Sequence, residues 1–484
     1  VRGEQRILTS EPVTRLIPTS GSTRARKLIP FTASLQREFN AAIAPWISDL
    51  YLRQSSVALG PAYWSITPAL QTQSPEVSAV PIGFDDDTGY LGGARKRFVD
   101  SVMAVPSELR LIKDLEIFRY VTLLCLLRQR DLRLISVWHP SFLSLLLDAL
   151  PQFWEDLLND IKLGQCKHST ALPKEVLNAL NLCPLSPRAK ELQTADPRKP
   201  PTFWPRLKVI SCWGDGSAEF ATIHLKKLFP NTILQSKGLL ATEAFVTIPF
   251  AGAKPVAVCS HFFEFIDDAS AIRLVHELIE GETYEVVVTT ASGLWRYRLG
   301  DCVQVTGFVG QTPSLRFLGR SGNVSDLFGE KLSETFVAKA IQETFASLNT
   351  TPRFVLLAPD EDAAGCRYTL YVEGATPGNL VESFDRALRH NPHYAYCRDL
   401  GQLLPVRVFT IAERGYEIFL NRLATQGAHL GDIKPAVLSR MSGWSNFFPK
   451  KCVENMRGKW DNKHDFNFTL DALKPIEIRP NHDS

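Results

Sequence analysis

Residues 284–301 read YEVVVTTASGLWRYRLGD: a strand-like run, a glycine turn, and a second glycine followed directly by an aspartate. The run 284–290 is rich in β-branched residues and is bounded by Ser and Gly, which predicts a strand. Asp301 comes directly after Gly300, and a carboxylate at such a turn can accept hydrogen bonds from both hydroxyls of a ribose. On these residues alone, a carboxylate that only completes a turn is an equal alternative.

On either side of this stretch, short strand-like runs alternate with helical patterns, which predicts a mixed α/β fold. Between residues 141 and 164, apolar residues recur at helical spacing, and Pro151 predicts the start of a second helix there. Further strand-like runs occupy residues 207–212, 232–236, 245–249, 256–260 and 315–318.

Beyond Ser321 the pattern of predicted helices and strands indicates a second, smaller structural unit. Helices are expected over residues 334–345, 380–390 and 413–425, and strands over 354–357, 368–372 and 406–411. A small α+β domain with one helix-covered sheet fits this half. We therefore predict an N-terminal domain over residues 1–321 and a C-terminal domain over residues 322–484.

The composition is that of an ordinary soluble chain and excludes several classes of protein. Of 484 residues, 45% are apolar and 22% charged, and the 54 Lys and Arg exceed the 51 Asp and Glu by three. The basic residues are scattered, which excludes a nucleic-acid binder, and no apolar run approaches the roughly 18 residues of a membrane span. The nine cysteines never occur in CxxC spacing, which favours reduced thiols in the cytoplasm and argues against a zinc site.

A hydroxyl-rich run, TSGSTRARK, occupies residues 19–27. Such runs often form loops whose N–H and hydroxyl groups donate to phosphate oxygens while a lysine supplies the counter-charge. An ordinary polar turn is the alternative, since Ser, Thr and Gly are common turn residues. A Walker loop is excluded because Arg26, not glycine, precedes Lys27.

Three more short motifs carry chemistry only in combination. Thr242 and Glu243 place a hydroxyl beside a carboxylate, a pair suited to a phosphate oxygen and its magnesium ion. The run WGDGS at 213–217 follows a predicted strand, and its glycines suit either a ligand loop or a plain turn. Lys434, within GDIKP, would by itself be a solvated surface charge.

In chain order, TSGST with its lysine, LLATE, YRLGD, FLGR and a late lysine resemble the adenylate-forming superfamily of acyl-CoA synthetases and luciferases. The run 273–320 is more closely similar to the auxin-responsive Gretchen Hagen family of acyl acid amido synthetases. TSGSTRARKLIPFT and GLLATEAFVTIP resemble bacterial members of that family more than plant members. The family usually carries a longer helical lead before the first motif, so we expect the fold to begin upstream of Val1.

The resemblance covers nearly the whole chain and implies a fold. A large N-terminal adenylate-forming domain would combine β-sheets flanked by helices with a small β-barrel-like part. A smaller, mobile C-terminal α+β domain would follow it.

The resemblance also implies an activity. Members of the family use ATP and Mg²⁺ to convert a carboxylic acid into an acyl-adenylate, releasing pyrophosphate, and then pass the acyl group to an amino acid or other amine, releasing AMP. It implies catalytic roles for Lys434, Thr242 and Glu243, with Glu243 also the magnesium ligand. The implied nucleotide-binding residues are Ser20, Gly21, Ser22, Thr23, Lys27, Asp215, Gly216, Thr242, Asp301, Arg320 and Lys434.

By the same resemblance, the acid pocket is expected around residues 118–124 and 137–140, although both segments could equally be core. The candidate substrate-binding residues are Tyr120, Leu123, Trp138 and Trp295. Their aromatic content suits an aromatic or other apolar acid. One departure stands in the phosphate loop: Arg24 replaces the usual glycine, which restricts the loop but adds a cation near the phosphates.

Two rival functions stay open on the sequence. An adenylating enzyme that delivers its acyl group to a thiol, such as coenzyme A or a carrier protein, or to a hydroxyl would share the ATP chemistry. A non-catalytic nucleotide-binding relative would have no physical need for Lys27, Glu243, Asp301 and Lys434 together, which favours an enzyme.

Overall fold

The computed structural model describes residues 7–18, 27–66, 80–81, 102–216, 218–425 and 436–450. Near the start of the chain, β1 (Arg15–Pro18) and β2 (Leu28–Phe31) form an antiparallel ribbon. The hydroxyl-rich run lies between these two strands in the sequence. Its residues 19–26 are outside the described residues.

A parallel sheet organises the N-terminal part. Its strands are β3 (Ala62–Trp64), β4 (Leu134–Ser136), β5 (Val209–Trp213) and β6 (Ile233–Lys237), hydrogen-bonded in that order. All three ladders are parallel, so the carboxyl ends of the strands lie along one edge of the sheet. We call it the carboxyl edge; in open α/β sheets it is where ligands bind.

Helices pack on this sheet and supply most of the core. They are α1 (Ala33–Arg53), α2 (Leu115–Arg128), α3 (Pro140–Leu163), α4 (Lys174–Leu180), α5 (Ser186–Leu192) and α6 (Ala218–Leu228). Helix α2 begins after Asp114, whose carboxylate accepts from the backbone N–H groups of Glu116 and Ile117 at 2.9 Å. Nearly every side chain from Phe118 to Leu127 is buried, as expected for a core helix that is apolar all round.

The prediction of two helices meeting at Pro151 is wrong, because α3 runs unbroken with Pro151 inside it. An interior proline costs about 3 kcal/mol in lost hydrogen bonding and steric clash. The apolar stripe continues in phase across it, and Leu143, Leu150 and Leu157 are all completely buried. Since burial of one such side chain stabilises the fold by about 1.5–3 kcal/mol, packing along the whole stripe outweighs one interrupted turn.

An antiparallel sheet follows. It contains β7 (Phe262–Ile266), β8 (Ile272–Leu274), β9 (Thr283–Thr290), β10 (Leu294–Val309) and β11 (Thr312–Arg320), in the spatial order β11-β10-β9-β7-β8. The predicted strands at 284–290 and 315–318 are confirmed. Those at 245–249 and 256–260 are wrong: only isolated bridges such as Thr247–Val256 form there. Pro249 and Pro255 lack the N–H donors that a continuous ladder needs.

The C-terminal part is a small α+β unit. A ribbon of β12 (Val324–Ser325) and β13 (Leu332–Ser333) leads into a sheet of β14 (Phe354–Asp362), β15 (Gly365–Glu373) and β16 (Arg407–Ile411). Its helices are α7 (Glu334–Ser347), α8 (Leu380–Leu388), α9 (Pro392–Asp399) and α10 (Gly415–Thr425). The helices and strands predicted for this half are confirmed. The boundary between residues 321 and 322 and the mobility of this unit stay predictions.

The two parts contact each other through a mixed polar and aromatic surface, which we call the lobe interface. Arg119 on α2 donates to Glu417 on α10 at 2.9 Å. The ring of His139, just before α3, stacks on Tyr416 with centroids 4.8 Å apart and planes 11° from parallel. The turn that leaves β4 is therefore held directly against the C-terminal unit.

Candidate functional site

The carboxyl edge of the parallel sheet brings together two tryptophans and a lysine. Trp213 ends β5, and its backbone N–H donates to the carbonyl of Trp138 at 2.8 Å. Lys237 ends β6 and is the register partner of Trp213. Trp138, one of the predicted acid-binding residues, thus lies at the edge where a ligand is expected.

The phosphate-loop prediction falls only partly on described residues. Ser20, Gly21, Ser22 and Thr23 lie outside them, as does Arg24. Lys27, directly after the loop, donates from Nζ to the Tyr297 hydroxyl at 2.9 Å and lies over that ring at 5.2 Å. This contact brings the end of the hydroxyl-rich run beside β10, the strand that also carries Asp301.

Thr242 and Glu243 occupy the tip of a tight turn. The bridge between Leu240 and Phe245 closes the turn, and the Ala241 N–H donates to the Ala244 carbonyl at 3.0 Å. Both tip side chains are half-buried. Among the residues that the structure describes, no group of three or more His, Cys, Asp and Glu side chains is arranged to hold a metal. A lone carboxylate still fits Mg²⁺, which usually keeps several waters and binds substrate phosphates alongside one or two carboxylates.

Asp301 and Arg320 face each other across β10 and β11. They are register partners, and Arg320 Nε donates to Asp301 Oδ1 at 3.0 Å. Asp301 is completely buried, and its Oδ2 atom has no hydrogen-bond partner within the described ranges. A buried carboxylate oxygen without a donor is rare in proteins. It therefore retains hydrogen-bond acceptor capacity that the described residues do not use.

Asp215 is already engaged by protein groups. Lys254 Nζ forms an ion pair with one of its oxygens, and the Phe317 N–H donates to the other at 3.1 Å. This buried carboxylate ties the loop after β5 to β11. Gly216 follows with φ +59°, a conformation that favours glycine. Any part that Asp215 plays in nucleotide binding stays a prediction. Its contacts indicate that it would do so by fixing the position of the loop after β5.

The remaining predicted acid-binding residues do not gather at one place. Tyr120 is completely buried and donates to Asp160 at 2.7 Å. Leu123 is equally buried in the core cluster of α2 and α3. Trp295 lies on the β9–β10 hairpin with 78% of its surface exposed. Trp138 alone of the four lies at the carboxyl edge, while Tyr120 and Leu123 lie in the hydrophobic core.

Lys434 also lies outside the described residues. The segment that follows it is firmly attached to the C-terminal unit. Leu357 of β14 donates from N to Val437 O at 2.7 Å, and Ser439 donates from N to Leu357 O at 2.8 Å. The chain is thus anchored three residues beyond Lys434.

Sequence reasoning missed two residues at the site. Tyr297 stood in the opening stretch but received no role, because its contact with Lys27 spans 270 positions. Lys237 follows a strand-like run whose pattern gives no sign that the lysine is only 6% exposed. The sequence feature that could have identified Lys237 as a site residue is its position at the end of a predicted strand, just ahead of Thr242 and Glu243.

Comparison with known proteins identifies the family to which this chain is similar. The chain matches the GH3 family N-terminal domain over residues 1–234, the GH3 family central domain over residues 255–320 and the GH3 family C-terminal domain over residues 335–442. In the part that the structure describes, no helix is long and apolar enough to cross a membrane.

Individual relatives agree with the family match. A probable indole-3-acetic acid-amido synthetase GH3.11 of Oryza sativa subsp. japonica is 24% identical, covering 89% of this chain and 81% of the relative. The indole-3-acetic acid-amido synthetase GH3.17 of Arabidopsis thaliana is 25% identical, covering 80% and 69%. The solved structure of the AtGH3.15 acyl acid amido synthetase in complex with 2,4-DB has a TM-score of 0.77 at 19% identity, covering 90% of this chain and 81% of that one.

The fold is that of acyl acid amido synthetases, and the predicted class, a ligase with a large N-terminal and a smaller C-terminal domain, is confirmed. The chain belongs to the GH3 family. Both relatives are plant proteins, and the closer resemblance to bacterial members stays a prediction, as does the cytoplasmic location.

Proposed function

We propose that this protein is an ATP-dependent acyl acid amido synthetase that activates an aromatic or other apolar carboxylic acid and joins it to an amino acid. The acid's carboxylate would attack the α-phosphorus of ATP, forming an acyl-adenylate and releasing pyrophosphate. The amine nitrogen would then attack the acyl carbon, forming the amide, and AMP would leave with the electrons of the broken C–O bond. No covalent bond to the enzyme is needed.

The observation that carries this proposal is the buried Asp301 carboxylate with one oxygen unpartnered beside Arg320. A ribose offers two neighbouring hydroxyl donors, which match the acceptor sites of a carboxylate. The contact of Lys27 with Tyr297 supports an arrangement in which phosphates and ribose are bound along β10, the strand that carries both Tyr297 and Asp301.

The remaining roles follow from charge. The barrier to adenylation is the approach of an anionic carboxylate to a polyanionic triphosphate, so cations and positioning should dominate catalysis. Lys27 with the 20–23 loop would bind the β- and γ-phosphates, and Thr242 the α-phosphate. Glu243 would hold Mg²⁺, which supplies charge neutralisation on the phosphates when bound. Lys434 would stabilise the charge that develops at the α-phosphate.

The test is acid-dependent exchange of labelled pyrophosphate into ATP with a panel of benzoate, phenylacetate and indole-3-acetate, followed by mass analysis of products formed with amino acids or with coenzyme A. We expect exchange with at least one acid and an amide product. Formation of a thioester instead of an amide would show that coenzyme A, not an amino acid, accepts the acyl group. Absence of exchange with a folded sample would contradict the proposal.

Substitution of Lys434 makes the test specific to the site. Loss of one stabilising group for transition-state charge typically costs about 100–1000-fold in rate. Lys434→Ala should therefore slow exchange by about that factor while ATP binding, measured by calorimetry, is retained. Lys450→Ala removes an exposed lysine of the same unit and serves as the matched control. Equal exchange in the two variants would contradict the role of Lys434.

A further inference from the structure

A buried histidine connects the turn that carries Thr242 and Glu243 to the first long helix. The side chain of His261 is completely buried. Its Nε2 atom accepts a hydrogen bond from the backbone N–H of Phe245 at 3.4 Å, and its Nδ1 atom lies 2.9 Å from Glu38 Oε2 on α1. A ring nitrogen that accepts a hydrogen bond carries no proton, so the proton of the imidazole is on Nδ1 and is donated to Glu38.

Glu38 also binds the segment between β9 and β10. Its two carboxylate oxygens accept from the backbone N–H of Ala291 at 3.2 and 3.0 Å. The hydroxyl of Thr32, the N-cap of α1, donates to the Ala291 carbonyl at 3.3 Å. Ala291 directly follows β9 and leads into β10, the strand that carries Asp301. One carboxylate on α1 therefore links the turn at 242–243 to the strand proposed to bind ribose.

Aromatic packing holds the same turn against the same helix. The rings of Phe39 and Phe245 stack with centroids 4.5 Å apart and planes 16° from parallel. Phe39 also makes an edge contact with the ring of His261, with centroids 5.6 Å apart. Such ring pairs stabilise an arrangement beyond the area that they bury. Phe245, which closes the turn opposite Leu240, is thus fixed through both its backbone and its side chain, two residues from Glu243.

A magnesium ligand on this turn depends on how firmly the turn is held. Mg²⁺ demands near-ideal octahedral geometry, so a small shift of a carboxylate ligand should weaken binding. The partners that hold metal ligands in place typically contribute about 10–100-fold to metal affinity or activity. The hydrogen bonds of His261 are therefore in a position to affect the metal without any contact to it.

We propose that His261 and Glu38 are positioning residues that fix Glu243 for Mg²⁺ and hold its turn in register with β10. This inference rests on the proposed function for the role of Glu243. The two residues act through the backbone of the turn and not on the reacting atoms. Their loss should therefore affect binding of the magnesium complex of the nucleotide and spare binding of the metal-free nucleotide.

The test measures nucleotide binding by calorimetry, so that it does not depend on turnover. A non-hydrolysable ATP analogue is titrated against the full chain with excess Mg²⁺ and again with the metal chelated. The Kd without metal divided by the Kd with metal gives a ratio that we call the magnesium gain. His261→Phe keeps an aromatic ring but removes both nitrogens, and we expect it to reduce the magnesium gain about tenfold or more.

A double variant tests whether His261 acts through Glu243. Glu243→Gln removes the proposed ligand and should itself reduce the magnesium gain. Adding His261→Phe to Glu243→Gln should then cause little further loss, because the effects of residues that act through one another are not additive. His393→Phe replaces an exposed histidine on α9 and should leave the magnesium gain unchanged.

Two conservative variants separate positioning from folding. The side-chain oxygen of Gln can reach the place of Nε2 and accept from the Phe245 N–H, whereas Asn reaches only as far as Nδ1. His261→Gln should therefore retain more of the magnesium gain than His261→Asn, and amide hydrogen exchange of residues 239–247 should be slower in it. Thermal unfolding checks each fold, and if His261→Phe does not fold, the comparison of Gln with Asn decides in its place.

The outcomes distinguish this inference from the proposed function. The inference is wrong if the wild type shows no magnesium gain, if the gain does not depend on His261, or if His261→Phe costs as much in the Glu243→Gln background as in the wild type. If pyrophosphate exchange is observed in any of these cases, the proposed function stands without it. If the gain depends on His261 through Glu243 but the wild type shows no exchange, the proposed function fails and the positioning role stands.

Discussion

Asp301 shows at the scale of one residue how this fold prepares a site. Its carboxylate is completely buried, Oδ1 accepts from Arg320, and Oδ2 has no partner in the described part of the chain. An unsatisfied buried acceptor costs about 1–3 kcal/mol. A ligand that donates to this oxygen would recover that free energy, which makes the position a source of binding affinity.

Replacing this carboxylate with an amide tests the idea at constant size. Asp301→Asn exchanges one acceptor oxygen for a donor NH₂, so two hydroxyls can no longer both donate to it. We expect the KM for ATP to rise by about 10–100-fold, the equivalent of about 1.5–3 kcal/mol for hydrogen bonds to a charged group. Thermal unfolding of the variant checks that weakening the Arg320 ion pair leaves the fold intact. Asp267→Asn is the matched control, because Asp267 also accepts from an arginine, Arg273, at 3.0 Å, but on an exposed hairpin. An unaltered KM in Asp301→Asn would contradict ribose binding.

At the scale of elements, sequence patterns predicted correctly those helices and strands that local interactions stabilise. The strand at 284–290 and the helix beginning at Glu334 were predictable because β-branched runs and helical periodicity stabilise them locally. The break at Pro151 was predicted wrongly because burial of the leucine stripe, a tertiary effect, outweighs the proline. Long-range pairings had no local signal: nothing in the sequence places Lys27 against Tyr297 or Lys237 over Trp138.

The turn between residues 239 and 247 offers a prediction at this scale. Thr247 is buried, and its hydroxyl accepts from the Leu239 N–H at 2.7 Å. Thr247→Val keeps the shape but leaves that N–H unpaired, which should lower the free energy of unfolding by about 1–3 kcal/mol. Since the same turn carries Thr242 and Glu243, we expect pyrophosphate exchange to fall as well.

Thr247→Ser is the control for this change, because it restores the acceptor while losing only a methyl group. Urea unfolding and exchange rates measured on both variants should show Ser close to the wild type and Val impaired. If exchange is the same in all three proteins, the turn does not position catalytic groups.

At the scale of the whole molecule, His139 lies where the two parts meet. It is only 6% exposed, and burial lowers the pKa of its imidazole to about 3. Its Nε2 atom lacks a hydrogen-bond partner among the residues described, and His139 lines a cavity of about 30 Å³ together with Ser141, Arg353 and Tyr416. A cavity of that size with several polar groups can hold about one water molecule. The neutral ring is therefore built into the lobe interface.

This arrangement makes stability depend on pH in a defined direction. Below the ordinary pKa near 6.5, the unfolded chain binds a proton at His139 that the folded protein excludes until the pH reaches about 3. The stabilisation is thus complete above pH 6.5 and is lost as the pH falls, by about 2 kcal/mol between pH 6.5 and 5 at 1.36 kcal/mol per unit. The free energy of unfolding, measured with urea at each pH, should therefore fall less steeply with decreasing pH in His139→Gln, whose side chain cannot titrate, than in the wild type.

Other buried groups titrate over the same range, which is why the comparison between variants matters. Burial raises the pKa of Glu334 and of Glu373, and their opposing effect is present in every variant and cancels in the difference. His276→Gln removes an exposed histidine and should follow the wild type. If His139→Gln loses stability with falling pH as steeply as the wild type does, the pKa of His139 is not lowered by folding, and burial at the lobe interface does not keep its ring neutral.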